Sequence, residues 1–158
     1  MRKEFAQLLF EKMEEDDSVY LVTADLGYGL WDKIRDRFPE RFFNVGSSEM
    51  VGMGACVGMA MEGKKPFFYS ITPFALYRPF EIIRNYIDHE NINVTIVGGG
   101  RDKDYGYLGF SHWGVDDKEI MSCFKNIQTL HPDTVEDLSL NFENIFKSNK
   151  PTYINLKK

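Results

Sequence analysis

Four short segments, Val19 to Val22, Phe67 to Ser70, Val94 to Val97 and Thr152 to Leu156, are apolar or β-branched along nearly their whole length. A strand with one wet face alternates polar and apolar residues, whereas a strand covered on both faces does not need to. Segments of helical spacing separate these runs. Phe5, Leu8, Leu9 and Met13 recur at a helical interval before the acidic stop EEDD. Strands that alternate with helices and are buried on both sides imply a doubly wound α/β fold, a mainly parallel sheet with helices on both faces.

The intervening stretches extend that pattern. After the polar turn ADLGYG, Trp31, Ile34 and Phe38 share one side of a short helix that Pro39 breaks, and Phe42 to Val45 forms a brief strand. Ser47 or Ser48 is expected to cap the next helix, whose Gly52, Gly54, Ala55, Gly58 and Ala60 allow close backbone approach. Helices are also expected around Phe80 to His89, Val115 to Phe124 and Thr134 to Phe146, with a strand near Ile127 to Leu130. No repeat or linker divides the 158 residues, so a single domain over 1–158 is expected.

Composition excludes several classes of function. The chain is 43% hydrophobic and 27% charged, too apolar for a disordered tail. A net charge of −5 with no basic stripe argues against nucleic acid as a partner. Thirteen Phe and eight Tyr raise the aromatic share to 15%, enough to line an interface or a flat ligand. Cys56 and Cys123 have neither CxxC nor metal-ligand spacing, and the N-terminus has no signal-peptide pattern, which points to a reducing cytoplasm. The most apolar stretch, MVGMGACVGMAM, is too short to span a bilayer, so no membrane partner is expected.

In a parallel α/β sheet, ligands bind beyond the carboxyl ends of the strands. The turns there carry Asp25, Glu49, the cluster from Phe74 to Phe80, and the loop from Gly98 to Trp113. Each has an ordinary explanation. A first-turn glutamate complements the helix dipole, an aspartate stabilises a chain reversal, and a loop histidine is solvated. Aromatic faces at Phe74 and Tyr77 would suit a flat ligand, while Phe80 reads as core. His131 reads as a strand-end residue and His89 as a cation at a helix end.

Four ordered stretches add a resemblance. The strings VTADLGYG, NVGSSEMVGMGACVGMAMEGKKPF, YSITPFALYRPFEIIRN and YGYLGFSHWGVDDKEIM, the last followed by HPDT, together resemble the pyrimidine-binding domain of the transketolase family over nearly the whole chain. The resemblance implies thiamine diphosphate as cofactor, with Glu49 hydrogen-bonding the ring nitrogen N1′ of its aminopyrimidine. A shielded carboxyl shares a proton more readily than a solvated one. The resemblance further implies that Phe74, or next Tyr77, stacks on the pyrimidine, that Asp25 faces the cofactor, and that His112 contacts the sugar and moves protons. Arg78 and Arg84 are candidates to grip a phosphorylated substrate, Arg84 alternatively to pair with an acid at a subunit contact. Arg101 is a candidate to reach substrate.

The sequence has no glycine-aspartate-glycine motif of the kind that holds Mg2+ and the diphosphate in complete transketolases, and no third domain is expected after its final strand. The resemblance therefore implies a separate diphosphate-binding transketolase-type subunit that carries the Mg2+. No metal is expected on this chain, thiamine diphosphate would be shared, and the simplest assembly is a heterotetramer. Apolar surface on the glycine-rich Glu49 helix would form the docking face. The implied activity is two-carbon ketol transfer between sugars. Its alternatives are a 2-keto-acid decarboxylating or 1-deoxy-xylulose-5-phosphate-synthase-like reaction and a non-catalytic α/β binding or regulatory module.

Overall fold

The computed structural model describes residues 1–158. Six strands form one sheet: β1 (Val19–Thr23), β2 (Phe42–Asn44), β3 (Lys65–Ile71), β4 (Thr95–Gly99), β5 (Gln128–Leu130) and β6 (Thr152–Leu156). Their order is β2-β1-β3-β4-β6-β5, and every neighbouring pair is parallel. The edge strands β2 and β5 have three residues each.

Two hydrophobic layers cover the sheet, which accounts for the continuous apolar strands. Leu21, Phe67, Tyr69, Val97 and Ile154 face one layer, and their neighbours Val22, Phe68, Ile96 and Tyr153 face the other. The first layer receives Phe5, Leu9 and Met13 of α1 (Arg2–Glu15), Ile34 of α2 (Asp32–Arg37), and Leu138, Phe142 and Ile145 of α7 (Val135–Ser148). Trp31, ahead of α2, is buried with them. The second receives Met53, Cys56 and Val57 of α3 (Glu49–Met61), Ala75 and Leu76 of α4 (Thr72–Tyr77), and Met121 of α6 (Asp117–Met121). Helices on both faces of an all-parallel sheet bear out the expected fold class.

Local chemistry sets several boundaries. A capping box starts α7: the Asp137 N–H donates to Thr134 Oγ1 at 3.0 Å, and the Thr134 N–H donates to Asp137 Oδ2 at 3.2 Å. Gly52 lets α3 lie against the sheet, because a Cβ there would stand 2.7 Å from the Phe68 ring and 2.9 Å from Val45.

Three local expectations are corrected. Ser48 occupies the N-cap of α3, but its side chain makes no capping hydrogen bond. The stretch expected as one helix over Phe80 to His89 is a single α-turn, α5 (Phe80–Ile82), that widens into a π-helix over Ile83–His89. An additional helix, α4, begins where β3 ends, with Pro73 in its first turn, where a missing N–H is harmless. Phe80 packs on the second layer with its ring 5.3 Å from that of Phe124, as expected of a core residue. No helix is long and apolar enough to cross a membrane.

From β1 the chain steps outward to β2, then returns past β1 to β3. That reversal places a crevice beyond the carboxyl ends of β1 and β3, where this topology binds ligands. The segment leading from β2 into α3 enters the same end of the sheet.

Candidate active site

Glu49 is the first residue of α3 and is 3% exposed. Arg78 Nη1 donates to its Oε1 at 2.7 Å, and Ser70 Oγ, at the end of β3, lies 3.4 Å from the same oxygen. The second oxygen, Oε2, is buried and has no hydrogen-bond partner. Buried polar atoms are nearly always paired, so an orphan carboxylate oxygen at the ligand-binding end of the sheet marks a place for a donor from outside the chain.

Arg78 directly follows α4, four residues after Phe74, on the same side of the helix. Its guanidinium carbon lies 3.8 Å from the centroid of the Phe74 ring. Phe74 also meets His112 edge to face, with ring centroids 4.9 Å apart and planes at 69°. Ser111 Oγ lies 3.0 Å from His112 Nδ1. Glu49, Phe74 and His112 come from three distant parts of the sequence, and Arg78 and its ring contacts join them into one cluster.

Asp25 lies across the crevice on the loop after β1. Its backbone is left-handed, with φ of 51°, and its N–H donates to Asn44 Oδ1 at 3.0 Å. The Gly46 N–H donates to the same oxygen at 3.0 Å, so Asn44 ties the Asp25 loop to the segment that leads into Glu49. The exposed Asp25 carboxylate accepts a hydrogen bond from the Tyr28 hydroxyl at 3.1 Å. Tyr77 points elsewhere: its hydroxyl donates to Asp116 at the N-cap of α6, and its side chain is half exposed. The bond to Asp116, aided by partial burial, pushes the Tyr77 phenol up to about 12.

Arg101 does not reach toward substrate. It is buried, and its guanidinium is consumed by Asn155 Oδ1, Asp133 Oδ1 and the carbonyls of Pro132 and Asn155, all at 2.8 to 2.9 Å. The side chain folds back onto β6 and the segment after β5, tying both to the end of β4. Arg84 lies on the π-helix and bonds its neighbour Asn85 at 2.9 Å.

Behind the cluster runs a buried polar network that sequence reasoning missed. Asn155 Nδ2 donates to Thr72 Oγ1 at 3.1 Å and to the Tyr153 hydroxyl at 2.9 Å. Tyr153 donates to Asp117 Oδ2 at 2.8 Å, and His131 Nε2 lies 2.8 Å from that same oxygen. Burial works to raise the Asp117 carboxyl, but the hydrogen bonds from His131 and Tyr153 prevail and hold it below the ordinary carboxylate range. Burial, reinforced by the Asp117 charge, pushes the Tyr153 phenol far above its usual value. One signal was present in the sequence: Asn155 places an amide between Ile154 and Leu156 in a strand that is buried throughout.

The fold and cluster define a parallel α/β domain with a buried acid beyond its strand ends. The transketolase, pyrimidine binding domain family matches residues 1–158, and the chain belongs to that family. It is 31% identical over 157 residues to a chain of Methanocaldococcus jannaschii described as a transketolase C-terminal section, covering 99% of this chain and 50% of that one. It is also 31% identical over 138 residues to the 1-deoxy-D-xylulose-5-phosphate synthase of Clostridium perfringens, covering 86% of this chain and 22% of the synthase. A solved split-gene transketolase, an inactive β4 tetramer, superposes with a TM-score of 0.85 at 30% identity, over 99% of this chain and 50% of that one. The chain thus spans half or less of each of these proteins.

Proposed function

We propose that this chain is the pyrimidine-binding subunit of a split transketolase-like enzyme that transfers a two-carbon ketol unit between sugars and is active only with a diphosphate-binding partner subunit. The observation that carries this is the state of Glu49: buried, with Oε1 occupied by Arg78 and Oε2 open. The residues present fit thiamine diphosphate, because an orphan buried carboxylate oxygen beside an aromatic ring matches a protonated heteroaromatic nitrogen on a flat ring. When bound, the cofactor supplies the electron sink for breaking and making carbon–carbon bonds.

The chain's own residues then have defined tasks. Glu49 Oε2 would hold the cofactor's pyrimidine nitrogen by accepting a hydrogen bond from it, a shielded carboxylate being suited to sharing that proton. Phe74 offers apolar ring surface for stacking, shared with Arg78, whereas Tyr77, bonded to Asp116, is not placed for that contact. Asp25, on the loop tied through Asn44 to the Glu49 segment, faces the cofactor across the crevice. His112 engages Ser111 through Nδ1, which leaves Nε2 to exchange a proton with a substrate hydroxyl. Mg2+ and the diphosphate belong to the partner, and a heterotetramer is the simplest assembly. Half or more of Met50, Val51 and Met61 on α3 is exposed, an apolar face suited to that partner.

Two lines support the split arrangement: the solved relative at 30% identity is a split-gene transketolase, and the Methanocaldococcus relative is described as a C-terminal section. A second proposal, a 1-deoxy-D-xylulose-5-phosphate-synthase-like condensation, is favoured by the Clostridium relative at equal identity. Co-purification with a diphosphate-binding subunit, followed by assays with ketose donors and with pyruvate in the presence of thiamine diphosphate and Mg2+, separates the two. Wild-type activity in Glu49→Ala, or a mixture that never binds cofactor, would overturn the catalytic proposal.

A further inference from the structure

Glu49 has two chemically equivalent oxygens on a side chain with three rotatable bonds, yet only one of them has partners. Arg78 Nη1 holds Oε1 at 2.7 Å, on the side of Ser70, and Oε2 is left as the open atom. Arg78 is itself restrained. Its guanidinium rests on the Phe74 ring at 3.8 Å, and Pro79 follows it, fixing the backbone at the end of α4. A guanidinium pairs with a carboxylate and stacks on a ring at once because it is planar and delocalised.

We propose that Arg78 is the positioning residue of the site: by pairing with Glu49 Oε1 and resting on Phe74, it fixes the orientation in which Oε2 meets the cofactor. This rests on the function proposed above. Arg78 is nearly half exposed while Glu49 is buried, so its charge is satisfied partly by water and partly by the acid. Such a cation adds little to the packing of the core and stabilises the chain through the buried carboxylate it offsets. One side of the guanidinium meets the carboxylate and one face lies on the ring, so its orientation is set by groups of this chain.

The inference separates Arg78 from a residue that merely stabilises α4. Methionine at position 78 keeps the stem that covers Phe74 and removes the charge and the donors. Lysine keeps the charge and loses the planar fork. The Glu49 side chain would then leave its rotamer and the carboxylate plane would tilt freely, so that an open oxygen would be aimed at the cofactor only part of the time.

The test uses the full chain assembled with its diphosphate-binding partner. Cofactor affinity is read by calorimetric titration with thiamine diphosphate, and steady-state kinetics are read with the donor sugar. Arg78→Met is expected to weaken cofactor binding about tenfold and to lower kcat at an unchanged donor KM, with Arg78→Lys recovering part of both. On the chain alone, Arg78→Met should lower the unfolding midpoint in the wild-type background and leave it unchanged in Glu49→Gln, a coupling absent if Arg78 acts elsewhere. If Arg78→Met does not fold, Arg78→Gln is measured in its place by the same criteria. Cofactor binding and kcat at wild-type levels in the uncharged variant, or a loss confined to donor KM, would overturn the role of Arg78 alone. A wild-type assembly that binds no cofactor would overturn the parent proposal, and this one with it.

Discussion

The Thr72 hydroxyl donates to the carbonyl of Gly100 across 2.6 Å, joining the start of α4 to the chain just past β4. The two segments bear Phe74 and Arg78 on one side and the loop to His112 on the other. Thr72 also accepts from Asn155, so its oxygen belongs to the polar network beneath the cluster. Thr72→Val keeps the shape and removes both bonds, leaving the Gly100 carbonyl only a long contact with Asn155 Nδ2 at 3.5 Å, while Asn155 keeps its bond to the Tyr153 hydroxyl. Loss of stability of about 1–3 kcal/mol is expected, measured by urea unfolding of the chain. Gly98→Ala should act at the same place, because a Cβ there would stand 2.7 Å from Thr72 Oγ1 and 2.9 Å from the Tyr153 hydroxyl.

Glu49→Gln should dissociate activity from stability. The amide fills the same space, and Arg78, nearly half exposed, turns to water. A thermal midpoint within a few degrees of wild type is expected, together with a fall in thiamine diphosphate-dependent activity of the assembled enzyme of about a hundredfold or more. A large drop in midpoint with activity retained would assign Glu49 to structure.

His112→Asn tests the proton-transfer role at the Phe74 end of the cluster. The side chain is only partly buried and its one polar contact is with its neighbour Ser111, so circular dichroism should show an unchanged fold. Activity with the donor sugar is expected to fall by about tenfold to a hundredfold, and cofactor affinity to hold. A drop in cofactor affinity without a change in kcat would move His112 out of the substrate role.

Asp16 supplies a pH test of the fold. Partial burial works to raise its carboxyl, but Lys65, at 2.7 Å, and the Ser18 hydroxyl and N–H outweigh it and draw it down to about 2. A carboxylate whose folded value lies below its unfolded value stabilises the protein above the unfolded value, and that contribution disappears as pH falls through the folded one. The unfolding midpoint of wild type should therefore exceed that of Asp16→Asn near pH 7. The gap should shrink between about pH 4 and pH 2. An equal gap at both ends of that window would show that the charge of Asp16 does not matter.

How much of this was legible in the sequence differs by element. Strands buried on both faces announce themselves by unbroken apolar runs, and β1, β3, β4 and β6 lie where those runs are. The helix α4 was hidden because Pro73 and Pro79 bracket it, and prolines read as breaks; here one sits in the first turn and the other just past the end. Glu49 stood out by its position at the head of a small-residue helix. Its pairing with Arg78, 29 residues on, leaves no periodic trace. Arg101 was misread for the opposite reason. It follows three glycines in a loop, a place that suggests solvent, but its side chain folds back onto Asn155, a contact spanning 54 residues. Contacts formed by tertiary folding between segments of unrelated pattern are what local sequence cannot encode visibly.

The sheet ends at both sides in strands of three residues, β2 and β5. A strand that short offers an incoming chain only one or two backbone pairs, too few to template a continuing ladder. Growth by adding strands is therefore disfavoured. Helix faces and the loops beyond the strand ends are the surfaces left for a subunit, so complex formation should leave the hydrogen-exchange protection of Phe43 and Thr129 unchanged while altering that of α3.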